Sequence, residues 1–166
     1  MRSRTVFGLF LLVFLFLAPS AQAETAKDAI RALKKLEART EAGISPRDYA
    51  PALGEAKFEV NLFLESQEAK QQPELAAVVI RVMEYYGDVG IVVGHNSRTS
   101  GKMIFLDDPS NASVLKVIQK YPMVLRDEND GGAMSGKSFL LKGDAAILIW
   151  AEASRELKTA MALLAN

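Results

Sequence analysis

The chain has 166 residues, no cysteine, a single histidine, and 20 basic against 20 acidic residues. That length suits one compact domain with a core of its own. Zero cysteine excludes disulfide frameworks, zinc ribbons, thiolate catalysis and covalent haem attachment. One histidine makes a histidine-rich metal site or a histidine-dependent triad hard to build.

The N-terminus carries Arg2 and Arg4 before a 13-residue apolar run, Val6 to Ala18. Pro19 closes the run and Ala21-Gln22-Ala23 supplies a small-x-small site. This is the pattern of a secretory signal peptide over residues 1–23, cleaved after Ala23. As a helix the run spans about 20 Å, short of the roughly 30 Å hydrocarbon core. The expected product is a periplasmic or secreted protein that meets the membrane only transiently. Cleavage leaves 18 basic and 20 acidic residues, a net charge of −2. A mildly acidic chain without a basic block is a poor ligand for nucleic acid or anionic lipid.

Residues 24–166 read as a single helical domain. Ala26, Ala29, Leu33, Leu36 and Thr40 recur at helical spacing, with Ile30 widening the stripe. Gly43 stands where a left-handed residue ends a helix. Ser45, Pro46 and Asp48 then form an N-cap, a first-turn proline and a capping-box partner. So short a connection predicts an antiparallel helical hairpin.

The second helix is expected to run to about Lys70 on Tyr49, Leu53, Ala56, Val60 and Phe63, with Pro51 and Gly54 as blemishes. The third is expected from Pro73 to Val93, on Leu75, Val79, Val82, Tyr86, Val89 and Val93. Gly87, Gly90 and Gly94 in its last turns point to close approach of a neighbouring helix; a short strand over Val89 to Val93 is the competing reading. Of Tyr85 and Tyr86, one should be core and one partly exposed.

From His95 to Asp108 the periodicity stops, with Asn96, Ser97, Thr99, Ser100 and Gly101 as loop formers. Pro109 to Lys120 reads as a short helix capped by Asp108 and ended by Tyr121-Pro122. A polar, glycine-rich loop follows from Arg126 to Lys137. Asp144 caps a last helix whose seam is read as Ile147, Trp150, Ser154, Leu157, Met161 and Leu164. The fold class is therefore all-α: an up-down bundle of four long helices and one short one, with long irregular segments between residues 95 and 140.

The run from Leu33 to Tyr49, with Thr40-Glu41-Ala42-Gly43-Ile44-Ser45 and Asp48-Tyr49, resembles a group of small, exported, uncharacterised bacterial helical proteins. Ala56-Lys57 and the tryptophan-bearing Trp150-Ala151-Glu152-Ala153 match the same group. The similarity covers most of residues 30–65 and, more weakly, 145–165. It implies an exported helical fold and brings no activity or site residue with it.

One segment has the form of a phosphate-binding loop: Gly131-Gly132-Ala133-Met134-Ser135-Gly136-Lys137-Ser138 fits G-x-x-x-x-G-K-[ST]. Its context is wrong. Asp127, Glu128 and Asp130 precede it, no good strand leads into it, and Gly143-Asp144 interrupts any helix it would open. Asp107-Asp108 and the run 127–132 offer oxygens but lack the bidentate glutamate of a calcium loop. His95 reads as a helix-end histidine satisfying the last carbonyls, and Asn111-Ala112-Ser113 as a glycosylation sequon by form only.

No catalytic, cofactor-binding or metal-binding residue is assigned, and no cofactor is expected. The leading expectation is a non-enzymatic binding or assembly module of the cell envelope, able to form oligomers, with an unknown protein partner met through residues 95–140. The alternatives are a nucleotide-binding protein working through Gly131 to Ser138, and a carrier of a small apolar ligand near Gly87, Gly90 and Gly94.

Overall fold

In a computed structural model the chain forms a helical bundle; the structure describes residues 25–99, 103–125 and 138–165. The elements in order are α1 (Thr25–Glu41), α2 (Pro46–Glu65), α3 (Gln67–Gln71), α4 (Pro73–Thr99), β1 (Met103–Phe105), α5 (Ala112–Lys120), β2 (Ser138–Leu140) and α6 (Ala145–Ala165). Short 3₁₀ turns at Pro109–Asn111 and Pro122–Val124 flank α5. The signal-like segment 1–23 lies outside the described residues.

Helix α1 packs on α2, α2 on α4, α4 on α6, and α6 closes the ring on α1. Diagonal contacts are few, as in a four-helix bundle. The α4–α6 pair is antiparallel. Arg81 reaches Glu156, while Tyr86, further along α4, lies level with Trp150, earlier on α6, both being bonded to the Tyr49 hydroxyl.

The first hairpin follows its sequence closely. The predicted seam of α1 is buried in full. Gly43 takes φ +83°, the left-handed C′ conformation that only glycine adopts without strain. Ser45 caps α2, its Oγ accepting from the Asp48 amide at 3.2 Å while donating to the Asp48 carboxylate at 2.6 Å. Pro51 is tolerated inside α2 because it and Arg47 are both exposed, so water can reach the carbonyl that lacks a donor.

Three expectations need correction. The second helix does not run unbroken to Lys70. It stops at Ser66, whose backbone turns extended and whose Oγ donates to the Phe63 carbonyl and accepts from the Ala69 amide. One side chain thus ends α2 and begins α3. The third helix does not end at Val93 but continues to Thr99, through residues read as loop formers. His95 supplies the reason: it is buried (3% exposed) and extends the core stripe of Val89 and Val92 by one turn.

The seam of the last helix is rotated from its predicted position. Ile147 is 61% exposed and Met161 41%, whereas Ala145, Ile149, Ala153, Leu157 and Ala160 are buried. Three of the five are alanines, and small side chains in a buried seam let helix axes approach closely. Of the large apolar residues in the predicted seam, Leu157 is buried, Trp150 and Leu164 lie on the margin, and Ile147 and Met161 reach solvent.

Candidate functional site

Five polar side chains meet inside the bundle, one or more from each long helix. The Tyr49 hydroxyl donates to the Tyr86 carbonyl at 2.7 Å and accepts from Trp150 Nε1 at 3.3 Å. The Tyr49 and Trp150 rings lie 5.7 Å apart, tilted by 46°. Tyr86 is fully buried, and its Oη has no partner at hydrogen-bond geometry among the described residues. Burial pushes its ionisation well above the ordinary tyrosine range, the Glu37 carboxylate adds to this, and the Ser154 hydroxyl acts weakly the other way. Tyr49 is raised too, again chiefly by burial. Glu37 is itself 4% exposed and accepts from Lys34 Nζ at 2.5 Å, which in turn raises the lysine. These groups contain no nucleophile–base pair: both phenols stay protonated and the carboxylate is held by a lysine of its own helix. Through the Tyr49 hydroxyl they tie α2 to α4 and α6 at one level.

A second buried carboxylate joins distant elements. Glu68 on α3 accepts from Thr25 Oγ1 at 2.8 Å and from the Ala26 amide at 3.0 Å, with Gln72 Nε2 on its other oxygen at 3.4 Å. It supplies the N-terminal cap of α1 from 42 residues away. The sequence places Glu37 with Lys34, Lys35 and Arg39 on the charged side of α1, yet it is buried beside the core stripe, and Glu68 was not singled out. The one available signal was Glu68's place in a five-residue helix between a serine break and Pro73.

The glycines of α4 behave differently from one another. A side chain added at Gly90 would meet Leu53 Cδ2 at 3.2 Å and Tyr49 Cε1 at 3.6 Å, so close approach is real there. At Gly87 and Gly94 nothing stands within 4 Å. The apolar space expected near them is an open furrow of about 400 Å³ between α2 and α4, floored by these glycines and Leu53.

The sequence motifs scatter. Of the loop Gly131 to Ser138, only Ser138 lies within the described residues. It opens β2, paired with Phe105 of β1, and is 9% exposed. A phosphate loop needs that hydroxyl at the start of a helix. Asp127, Glu128 and Asp130 lie outside the described residues. His95 sits inside α4 rather than at its end, and the carboxyl of Asp108 is held below its ordinary range chiefly by its bonds to Ser110. Asn111 is 4% exposed, its Nδ2 donating to the Phe105 carbonyl, a position closed to a glycan. Among the described residues, no three His, Asp or Glu side chains converge to hold a metal, and no helix is long and apolar enough to cross a membrane.

At one end of the bundle the connection between α4 and α6 builds a small cap. Strands β1 and β2 pair antiparallel, Ile104 opposite Phe139, and Leu125 bridges to Leu141. Ile104, Val124 and Leu141 are buried beneath it. A latch holds α5 to α4: Lys120 Nζ bonds Asp88 at 2.9 Å, Tyr121 Oη bonds the same carboxylate oxygen at 2.8 Å, and the Tyr85 and Tyr121 rings lie 5.7 Å apart, tilted by 42°, beside the ammonium. Tyr85 is the partly exposed member of the tyrosine pair and Tyr86 the core one. Four large apolar side chains of the cap reach solvent: Phe105 is 47% exposed, Leu106 44%, Met123 38% and Phe139 36%. By the register Phe139 shares its face of the sheet with buried Ile104, while Phe105 leaves the opposite face. No known protein family matches the chain, and no curated protein or solved structure is detectably similar to it.

Proposed function

We propose that this chain is an exported, non-enzymatic module of the cell envelope that binds a protein partner through the capped end of its bundle. The observation that carries this reading is the exposure of four large apolar side chains at the capped end, Phe105, Leu106, Met123 and Phe139. These four side chains belong to one short sheet and its flanking turns, and all reach solvent. Each would gain about 25 cal/mol for every Å² of apolar surface removed from water. Aromatic residues and methionine are the types that interface centres favour. The rigid bundle and the Lys120–Asp88–Tyr121 latch hold this surface in place.

Export is supported by the arginines, apolar run and small-x-small site before Glu24.

The test is cross-linking in the envelope followed by mass spectrometry, with Phe105→Asp and Phe139→Asp combined. The expected result is a partner captured by the native chain and lost in the variant at unchanged helicity, with an intact mass starting at Glu24. A variant that keeps every cross-link would overturn the binding surface, and recovery of the full-length precursor in the cytosol would overturn export. Saturable nucleotide heat in calorimetry, lost in Lys137→Ala, would replace this reading with nucleotide binding.

A further inference from the structure

The outer face of the α1–α2 hairpin carries a groove of about 690 Å³, away from the capped end's exposed apolar side chains. Its floor is apolar and mostly small: Ala32, Leu36, Ala52 and Ala56. Beside it stands Phe58, 61% exposed. The two rims differ in sign. Along α1 run Arg31, Lys35 and Arg39, spaced four apart on one helix face, with Asp28 bonded to Arg31. Along α2 run Glu55 and Glu59, again four apart. Lys35 Nζ and Arg39 reach across to Glu55, at 3.0 and 3.5 Å. Glu59 makes no ion pair among the described residues.

We infer that this face pairs with the same face of a second copy, about a two-fold axis running along the groove. The geometry selects that arrangement. Rotation about such an axis lays α1 of one copy over α2 of the other while preserving height along the bundle. The basic rim then meets the acidic rim. Lys35 and Glu55 share one level within a copy, so Lys35 of each copy faces Glu55 of the other. Because α1 and α2 are antiparallel, Arg31 falls level with Glu59 and Ala32 with Phe58. Each phenyl ring therefore meets the other copy's smallest groove residue, a knob over a hole. A two-fold axis across the helices would instead set basic rim on basic rim. An unrelated helix would have to supply both the charge order and the aromatic knob, and a second copy has both by construction.

The measurement is sedimentation equilibrium on the protein as isolated from cells, with helicity by circular dichroism as the control for folding. The native chain is expected to dimerise reversibly. Lys35→Glu and Glu55→Lys should each weaken the dimer by roughly tenfold or more, because symmetry turns one reversal into two repulsive contacts. The decisive sample is an equimolar mixture of the two variants. At these two positions a chain with Lys35→Glu is acidic on both rims, and a chain with Glu55→Lys is basic on both. Each variant repels its own kind and attracts the other, so dimerisation returns, as heterodimer. Repair of an ion pair within one copy could not produce that result. Phe58→Asp should give a monomer that mixing does not rescue. A native chain monomeric at every concentration overturns the inference, as does a dimer indifferent to all three substitutions. A mixture that fails to restore association overturns it too. A dimer abolished by Phe105→Asp but not by Lys35→Glu would assign self-association to the capped end instead.

Discussion

The Tyr49 hydroxyl bonds the main-chain carbonyl of Tyr86 at the level where Gly90 removes a side chain from the α2–α4 interface. The Tyr86 carbonyl lies one turn before Gly90, so a β-carbon at position 90 would crowd the Tyr49 ring that makes the bond. The same hydroxyl accepts from Trp150 on α6. Tyr49→Phe removes the acceptor of a half-buried indole N–H and a donor to a carbonyl that already serves its own helix. The expected loss is about 1–2 kcal/mol. Urea unfolding followed by emission of the single tryptophan measures it, and an unchanged midpoint would show the bond to be dispensable.

The three glycines of α4 should separate on substitution. Gly87→Ala and Gly94→Ala meet open space and replace a poor helix former, so each should stabilise by about 0.5–1 kcal/mol. Gly90→Ala gains the same propensity but presses on the end of the Leu53 side chain, and should fall near neutral. Gly90→Leu cannot be housed and should cost more than about 1–3 kcal/mol. Thermal melts of the four variants order them; a neutral Gly90→Leu contradicts close packing at that level.

Removing the Glu68 carboxylate should unravel the beginning of α1 before the rest. Glu68→Ala leaves the Ala26 amide and the Thr25 hydroxyl without their acceptor, at a cost of about 1–3 kcal/mol. Glu68→Gln keeps an acceptor and should recover part of the loss. Amide hydrogen exchange locates the effect: protection should fall over residues 26–28 and stay intact in α4. Uniform loss across the bundle would contradict a local cap.

Stability should fall steeply in alkali. Burial raises the ionisation of Tyr49 and Tyr86 above the ordinary tyrosine range. Unfolded phenols ionise near pH 10 while these two remain protonated. Above that pH the unfolded chain has shed protons that the folded chain still holds. Stability contributed by the two groups is thus complete below about pH 10 and declines above it, by up to about 1.4 kcal/mol per pH unit for each group. The share of phenolate absorbance due to Tyr49 and Tyr86 should appear together with the loss of helicity. Tyr86→Phe should flatten the dependence; an unchanged slope would show that Tyr86 ionises without unfolding.

Parts of this architecture are legible in the sequence because they depend on local chemistry. Gly43, Ser45 and Pro46 specify a turn whose geometry depends on those residues alone. The apolar stripe of α1 is legible because most of its other face is charged, although Glu37 is buried beside it. Helix α6 is not, since alanines and larger apolar residues occur all round it, and the closest packing falls to Ala145, Ala153 and Ala160. The end of α4 is hidden for the opposite reason. Asn96 and Ser97 favour a loop locally, yet the burial of His95 carries the helix past them. The capped end shows least beforehand, because three-residue strands have no periodicity to read. The sequence directs attention to residues 95–140; that Phe105 and Phe139 share one small sheet and both reach solvent depends on pairing between distant segments.

The cap that Glu68 supplies to α1 bears on how the molecule could be divided. The hairpin 25–65 looks like a portable unit, with its own turn, its own seam and its own ion pairs. Its opening turn is completed by a side chain beyond its own end. A fragment cut after Glu65 would retain every local signal for folding and still begin in a loose, exchanging coil. Grafting that hairpin onto another scaffold would require carrying along α3, the five-residue helix that otherwise looks like a spacer.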